Sequence, residues 1–399
     1  MSEWKKCKLG DYAKVLGGYA FKSADFKETA DYPVIKIKNI ASGKIDMSSC
    51  QYITNEIAIR ASNYEAKTKD ILIAMTGSHI TQPSSMVGRV TRYSLEHKAY
   101  INQRVGKIVS TDSENLDEDF LFYHMIQDDT VFSLANIASG SANQANISAT
   151  QIEEVVIDLP DLPEQQAVAE VLSSLDDKID LLSRQNKTLE DLAQTYFRQW
   201  FVESNNNDNI FVSDLAKLNN VSVNPSKKPL EPFYHYSLPS FDDGHTPAIE
   251  LGQAILSNKY IVQPNTILIS KLNPIKPRIW RIGETVASNS VCSTEFQVLN
   301  PFDMKHYLFL YCLMKSYDVV QSFAMSASGT SGSHQRIRPE YITEVETPAP
   351  DERLLDKFND VFTPVMGKVD KNQAEIITLQ KLRDTLLPKL ISGEVRIKM

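Results

Sequence analysis

Residues 160–201 read PDLPEQQAVAEVLSSLDDKIDLLSRQNKTLEDLAQTYFRQWF. From Val168 onward the apolar residues fall at alternating steps of four and three: Val168, Leu172, Leu175, Ile179, Leu182, then Leu189, Ala193, Tyr196 and Trp200. Only Asn186 interrupts the row. Held over about five heptads, that alternation is the seam of a coiled coil. Asp161, Pro163 and Glu164 supply the cap, the first-turn proline and the first-turn acid that open a helix, and the polar run from Ser204 to Asn209 closes it.

The pattern returns 190 residues later, where Ile147, Ile152, Glu154, Val155 and Pro160 recur without a gap as Ile337, Ile342, Glu344, Val345 and Pro350. Lys178, Asp180, Leu189 and Thr195 likewise recur as Lys368, Asp370, Leu379 and Thr385. The second seam is Phe358, Phe362, Val365, Val369, Asn372, Ile376, Leu379, Leu386 and Leu390, with Arg383 off pattern. One antiparallel register sets Asn186 against Asn372 and at the same time pairs Val168 with Leu390, Leu182 with Ile376 and Trp200 with Phe358. A buried Asn pair costs stability and fixes alignment, because a slip leaves each amide without its partner. The alternative is two ordinary core helices of separate domains. Pro364 and Gly367 predict a kink in the second helix.

With 399 residues the chain is too long for one core, and 42% apolar content is enough for several. Four cysteines without paired spacing argue against a disulfide framework and for a reducing cytoplasm. The N-terminus has no apolar stretch like a signal peptide, and no run is long enough to cross a bilayer. Net charge is −8, but residues 1–110 hold 17 Lys and Arg against 10 Asp and Glu, whereas 111–204 hold 4 against 19. Such asymmetry suggests surfaces for different partners; the bland alternative is uneven solvated charge.

The fold class expected is α+β. Two mixed α/β domains are joined and separated by a long antiparallel two-helix coiled coil, in a pseudo-two-fold internal repeat. The divisions are 1–159, a spacer helix 160–204, 205–349, and a C-terminal helix 350–393. In the first domain Tyr32–Lys38 alternates as a strand should, and Asp70–Met75 is a buried strand followed by a polar loop. Asp117–Ile126 forms a packed helix, and Ala138–Gln144 a flexible small-residue loop. The second domain repeats this order with Asn265–Ser270, Tyr307–Tyr311 and Ala327–His334.

Recognisable catalytic chemistry is missing. The chain has no phosphate-cradling loop, no dinucleotide fingerprint and no helically spaced His pair, so no catalytic or metal-ligating residue is assigned. Asp242-Asp243-Gly244-His245 has the composition of a turn, and His79 and His124 read as loop or core histidines.

DNA recognition has better candidates. Lys259–Arg281 holds Lys259, Lys271, Lys276, Arg278 and Arg281 with no acid, interleaved with prolines, Asn273 and Trp280. Arg bonds guanine bidentately, and Lys contacts phosphate without reading sequence. The matching place in the first half carries neutral donors and acceptors: Thr76, Ser78, His79, Thr81, Gln82, Ser84 and Ser85, then Arg89. Asn102-Gln103-Arg104 and Asn289 follow the next strands, and Lys36, Lys38, Asn143, Gln144, His334, Gln335 and Arg336 complete the candidate set. The alternative for each is an ordinary polar surface residue.

Together these features resemble the specificity subunit of Type I restriction–modification systems. Leu159-Pro160-Asp161-Leu162-Pro163-Glu164-Gln165-Gln166 looks like that family's entry to its central spacer, and Leu386-Leu387-Pro388-Lys389-Leu390-Ile391-Ser392-Gly393-Glu394 like its C-terminal ending. The second entry, Ala349-Pro350-Asp351-Glu352-Arg353, departs from the pattern by lacking the Gln. The resemblance implies a cytoplasmic, non-catalytic subunit that reads a split, asymmetric site in double-stranded DNA through two target-recognition domains. Its spacer helices dock two methyltransferase subunits and, through them, endonuclease/translocase subunits. S-adenosylmethionine, ATP and Mg2+ are expected in those partners and no cofactor in this chain. Competing readings are a coiled-coil scaffold that never touches DNA and a stand-alone nucleic-acid enzyme.

Overall fold

A computed structural model describes residues 4–41, 43–47, 49–79, 85–141, 144–203, 208–327 and 335–397. The chain divides into two compact units, Met1–Lys178 with Leu379–Met399, and Ile179–Thr378. Each unit holds one globular portion together with part of each long helix, Leu162–Phe197 and Glu352–Ile391.

In the first unit Ile71–Ala74 is buried at every residue and lies inside an antiparallel sheet. Its order is Val90–Arg92, Ile71–Ala74, Val105–Ser110 and Ala13–Gly17. A second four-stranded sheet runs Gln51–Ile53, Tyr32–Ile35, Ala99–Ile101 and Glu65–Ala66, with its two central strands parallel. Gly106 sits where the sheet meets the core: a Cβ there would lie 2.9 Å from Val15 Cγ1 and 3.0 Å from Met75 Sδ. The helix Glu118–Met125 is capped by Asp117, whose Oδ1 accepts from Phe120 N at 2.8 Å. Lys5–Lys8 pairs with Val156–Leu159 and brings the start of the chain beside the entry to the first long helix.

The second unit repeats this plan. Ala216–Leu218, Phe296–Pro301, Ile267–Ser270 and Ile279–Arg281 form an antiparallel sheet whose order matches that of their counterparts. The adjoining sheet has five strands: Ser222–Val223, Lys259–Ile261, Ser290–Cys292, Pro232–Tyr236 and Ala248–Leu251. Asn209–Phe211 pairs with Glu346–Pro348, as Lys5–Lys8 does with Val156–Leu159.

Several local expectations change. The strand expected over Tyr32–Lys38 stops at Ile35, because Asn39 Oδ1 accepts from Lys36 N at 2.9 Å and turns the chain into a short 3-10 segment. The loop expected at Ala138–Gln144 contains Ser139–Ser141, which pairs with Gln144–Asn146. The basic stretch Lys259–Arg281 contains three strands, Lys259–Ile261, Ile267–Ser270 and Ile279–Arg281, and Lys259 is buried against Ser257. The second long helix passes through Pro364 and Gly367 without interruption in its helical run.

The helix seam is described within each unit. In the first, Val168, Leu172 and Leu390 are buried in one core with Phe120 and Leu121, and Leu386 packs partly buried against it. Leu175 is half-buried beside Asp176. Arg383, off the apolar pattern, donates from Nη1 to Asp176 Oδ1 at 2.8 Å, while Tyr123 Oη donates to Asp176 Oδ2 at 2.8 Å. The off-pattern cation thus joins both helices to the globular portion. In the second unit Ile179, Leu182, Val369 and Ile376 are buried. Leu189 packs partly buried on the core that holds Ala193 and Phe362. Ring centroids lie 5.4 Å apart for Tyr196 and Phe362 and 6.2 Å apart for Trp200 and Phe358. Asn372 Nδ2 donates to Asn186 Oδ1 at 2.9 Å, and both residues are buried. Lys315 and Tyr311 hold Glu190 of the first helix, and Arg281 holds Asp370 of the second.

His124 is buried in the first unit, and among the described residues its Nδ1 has no partner. Burial pushes its pKa down to about 4. The unfolded chain takes up this proton near pH 6.5 and the folded chain only near 4, so stability is lost as pH falls between those values. His124→Gln is expected to flatten that fall by about 3 kcal/mol across the interval. Urea unfolding from pH 7 to 4 checks it, and parallel curves for the two proteins would reject it.

Candidate nucleic-acid interface

The residues proposed from sequence fall into three groups. Thr81, Gln82, Ser84, Asn143 and His334 lie outside the described residues.

A second group is engaged within the protein. Lys36 lies 3.4 Å over the Phe26 ring and bonds Gln51, and burial lowers its pKa. Ser78 Oγ is 2.8 Å from Ser85 Oγ. Arg89 donates from Nε to Met86 O at 3.0 Å, and desolvation lowers its pKa. Arg278 grips Asp242 with Nε and Nη2, both at 2.8 Å, and Arg281 donates to Met366 O as well as Asp370. Asn289 Nδ2 donates to Pro232 O at 3.2 Å. Trp280 is buried among Tyr236, Phe241 and His245, so its ring is a core element rather than a stacking surface.

The third group converges on a framework that both units share. In the first unit Thr76–Gly77 pairs with Ala145 and Asn146 of the next hairpin. Met75 N bonds Arg104 O at 2.9 Å, Ile147 N bonds Met75 O at 3.0 Å, and Val105 N closes a tight turn onto Asn102 O at 2.7 Å. In the second unit Leu272 bridges Arg336. There Lys271 N bonds Glu295 O at 2.8 Å, Ile337 N bonds Lys271 O at 3.1 Å, and Phe296 N bonds Ser293 O at 2.9 Å. The backbone connections correspond one for one, so Thr76, Asn146 and Arg104 stand where Leu272, Arg336 and Glu295 stand in the other repeat.

The side chains on this framework differ. Thr76 Oγ1 donates to Asn146 Oδ1 at 2.8 Å, and Arg104 Nη1 donates to Asn146 Oδ1 at 2.9 Å and to Thr76 Oγ1 at 3.2 Å. In the second unit Arg336 donates to Glu295 through Nε and Nη2, both at 3.1 Å. Around the first framework Asn102 is half-buried and bridges Tyr19, His79 is half-buried, and Gln103 and Gln144 are exposed, while Lys38 is exposed on the separate short segment Ile37–Asn39. Around the second, Lys271 is half-buried and Lys276 exposed. Asn273 takes a left-handed backbone at φ 52° and its N bonds Gln335 O at 2.9 Å. Asn146 and Glu295 were not among the sequence candidates. The signal for Asn146 was available, since it lies 190 residues before Arg336.

A model of the Type I restriction modification DNA specificity domain matches residues 1–191. Across 99% of its length the chain is 25% identical to the Type I restriction enzyme MjaIX specificity subunit of Methanocaldococcus jannaschii, covering 94% of that protein. Residues 1–191 thus match the specificity domain of Type I restriction–modification systems, and the whole chain is similar to a specificity subunit of such a system. The HindI specificity subunit of Haemophilus influenzae is 24% identical over 204 residues, 51% of this chain and 42% of that one. The crystal structure of a Type I restriction–modification S subunit from M. genitalium shares the fold, with a TM-score of 0.58 at 18% identity, covering 99% of this chain and 96% of that one. Among the described residues no helix is long and apolar enough to cross a membrane, and no cluster of three or more His, Cys, Asp or Glu could hold a metal ion.

Proposed function

We propose that this subunit reads a two-part, asymmetric site in double-stranded DNA, one half through each globular portion, and leaves the chemistry to other chains. One observation carries the reading. The same hydrogen-bonded framework recurs in both units with different side chains mounted on it, as two readers built to one plan and given different targets require. Base-edge contacts specify and phosphate contacts position, so each framework supplies the former while exposed lysines such as Lys38 and Lys276 supply the latter. The acidic face of the first long helix docks two methyltransferase subunits, and endonuclease/translocase subunits join through them. S-adenosylmethionine, ATP and Mg2+ belong to those partners, and the assembly works in the cytoplasm on chromosomal and invading DNA.

The helices act as the ruler in this scheme. Leu162–Phe197 is 36 residues, about 54 Å at about 1.5 Å per residue. That exceeds the roughly 34–36 Å of one DNA turn. Inserting one helical turn in each long helix is expected to lengthen the unspecified gap while both half-sites stay as they are. Adenine-methylation mapping of cells carrying the altered subunit with its partners is the check, and a lengthened rod with an unchanged gap would refute the ruler.

A further inference from the structure

Arginine presents two hydrogen-bonding edges. The Nε–Nη2 edge is the fork that meets two acceptors side by side, and Nη1 points away from it. In the first framework Nη1 of Arg104 is the atom held, by Asn146 Oδ1 and Thr76 Oγ1. Among the described residues Nε and Nη2 have no partner, and the residue is exposed at the tip of the turn closed by Val105 N and Asn102 O. The protein therefore fixes the direction of the guanidinium and leaves its fork open. In the second framework the cation sits on the facing strand, at Arg336, and its Nε–Nη2 fork is filled by Glu295. Arg278, nearby in sequence, has its fork filled by Asp242.

We propose that Arg104 reads a guanine in the half-site served by the first globular portion, and that the equivalent position of the second portion reads no guanine. The inference rests on the two-reader function above and adds which residue reads and what it reads. A guanine offers O6 and N7 as adjacent acceptors in the major groove, the pair that an open arginine fork matches. A charge meant only to neutralise phosphate gains nothing from being aimed, because a flexible lysine does that equally well. The two acceptors on Nη1 are neutral, so they orient Arg104 without cancelling its charge, whereas Glu295 cancels that of Arg336.

The test uses the full chain assembled with its methyltransferase partner and compares adenine-methylation maps for wild type, Arg104→Lys and Arg104→Gln. Arg104→Lys keeps the charge and removes the fork. It is expected to relax one guanine position in one half-site by at least about tenfold, with the other half-site and the gap unchanged. In binding assays on duplex DNA, Arg104→Lys is expected to keep the wild-type salt dependence. Arg104→Gln is expected to relax the same position; if it fails to fold, by circular dichroism, Arg104→Lys decides alone. A uniform loss with the motif intact would make Arg104 a backbone contact and overturn the proposal. So would an unchanged motif, or a wild-type motif without a G·C pair. A wild-type map with no two-part motif would overturn the recognition reading itself, a result distinct from a two-part motif that Arg104→Lys leaves untouched.

Discussion

Gln165→Leu is expected to destabilise the first unit by about 4 kcal/mol, one of the largest single-residue effects in the protein. Gln165 has no exposed surface. Its Nε2 donates to Asn115 O at 2.8 Å and Pro160 O at 2.9 Å, and its Oε1 accepts from Asp117 N at 2.8 Å. One side chain therefore satisfies three main-chain groups where the first long helix leaves the globular portion. Leucine of similar volume would leave all three without partners, at about 1–3 kcal/mol for each buried group. The choice of leucine is not arbitrary. The corresponding position in the second repeat is Leu355, fully buried in an apolar core, so the same backbone site accepts leucine when no polar groups face it. Urea unfolding of the full chain gives the number. A loss under about 1 kcal/mol would mean that water replaces the amide and that the junction is looser than its hydrogen bonds imply.

The second large effect concerns the amides inside the helix pair. Asn186→Leu removes the nearer acceptor of Asn372 Nδ2, and Asn372 Oδ1 already lacks a partner among the described residues. An expected loss of about 2–3 kcal/mol follows from leaving a fully buried amide with only the long contact from Nδ2 to Gln185 Oε1 at 3.5 Å. Asn372→Leu should cost less, because Asn186 keeps slightly more access to solvent. The double leucine variant is expected to be at least as stable as wild type, since two apolar residues then face each other in the seam. What it loses is a unique alignment. A double-mutant cycle by chemical denaturation reads the coupling directly, and a double variant equal to the sum of the singles would show that the two amides do not act as a pair.

Much of the helix seam was legible because its information is local and repeated. Apolar positions at fixed steps, with one Asn in each row, defined a register before any coordinates, and Tyr196 with Phe362, Trp200 with Phe358 and Asn186 with Asn372 are neighbours in the structure. Arg383 was legible only as an exception, because its reason lies at Asp176 and Tyr123, far away in sequence. The framework around Arg104 was hidden for the same cause: Thr76, Arg104 and Asn146 come from three separate segments. The strand at Ser139–Ser141 has a composition that suggests a loop, since Ser and Gly have little intrinsic preference for extended structure, and its pairing with Gln144–Asn146 supplies what composition does not. The basic stretch ending at Arg281 misled in the opposite sense. Its cations were plain to see, and the carboxylates of Asp242 and Asp370 that engage two of them were not.

The one-for-one match between the two frameworks has an evolutionary consequence. Their strands and turn are held by main-chain hydrogen bonds that make no demand on the side chains at 76, 104 and 146 or at 272, 295 and 336. Point changes at those sites can then alter the side chains displayed there without the folding cost that usually accompanies a change of surface. On the proposed function, exchanging a cation for an anion on this frame alters the preferred sequence and keeps the inherited scaffold intact.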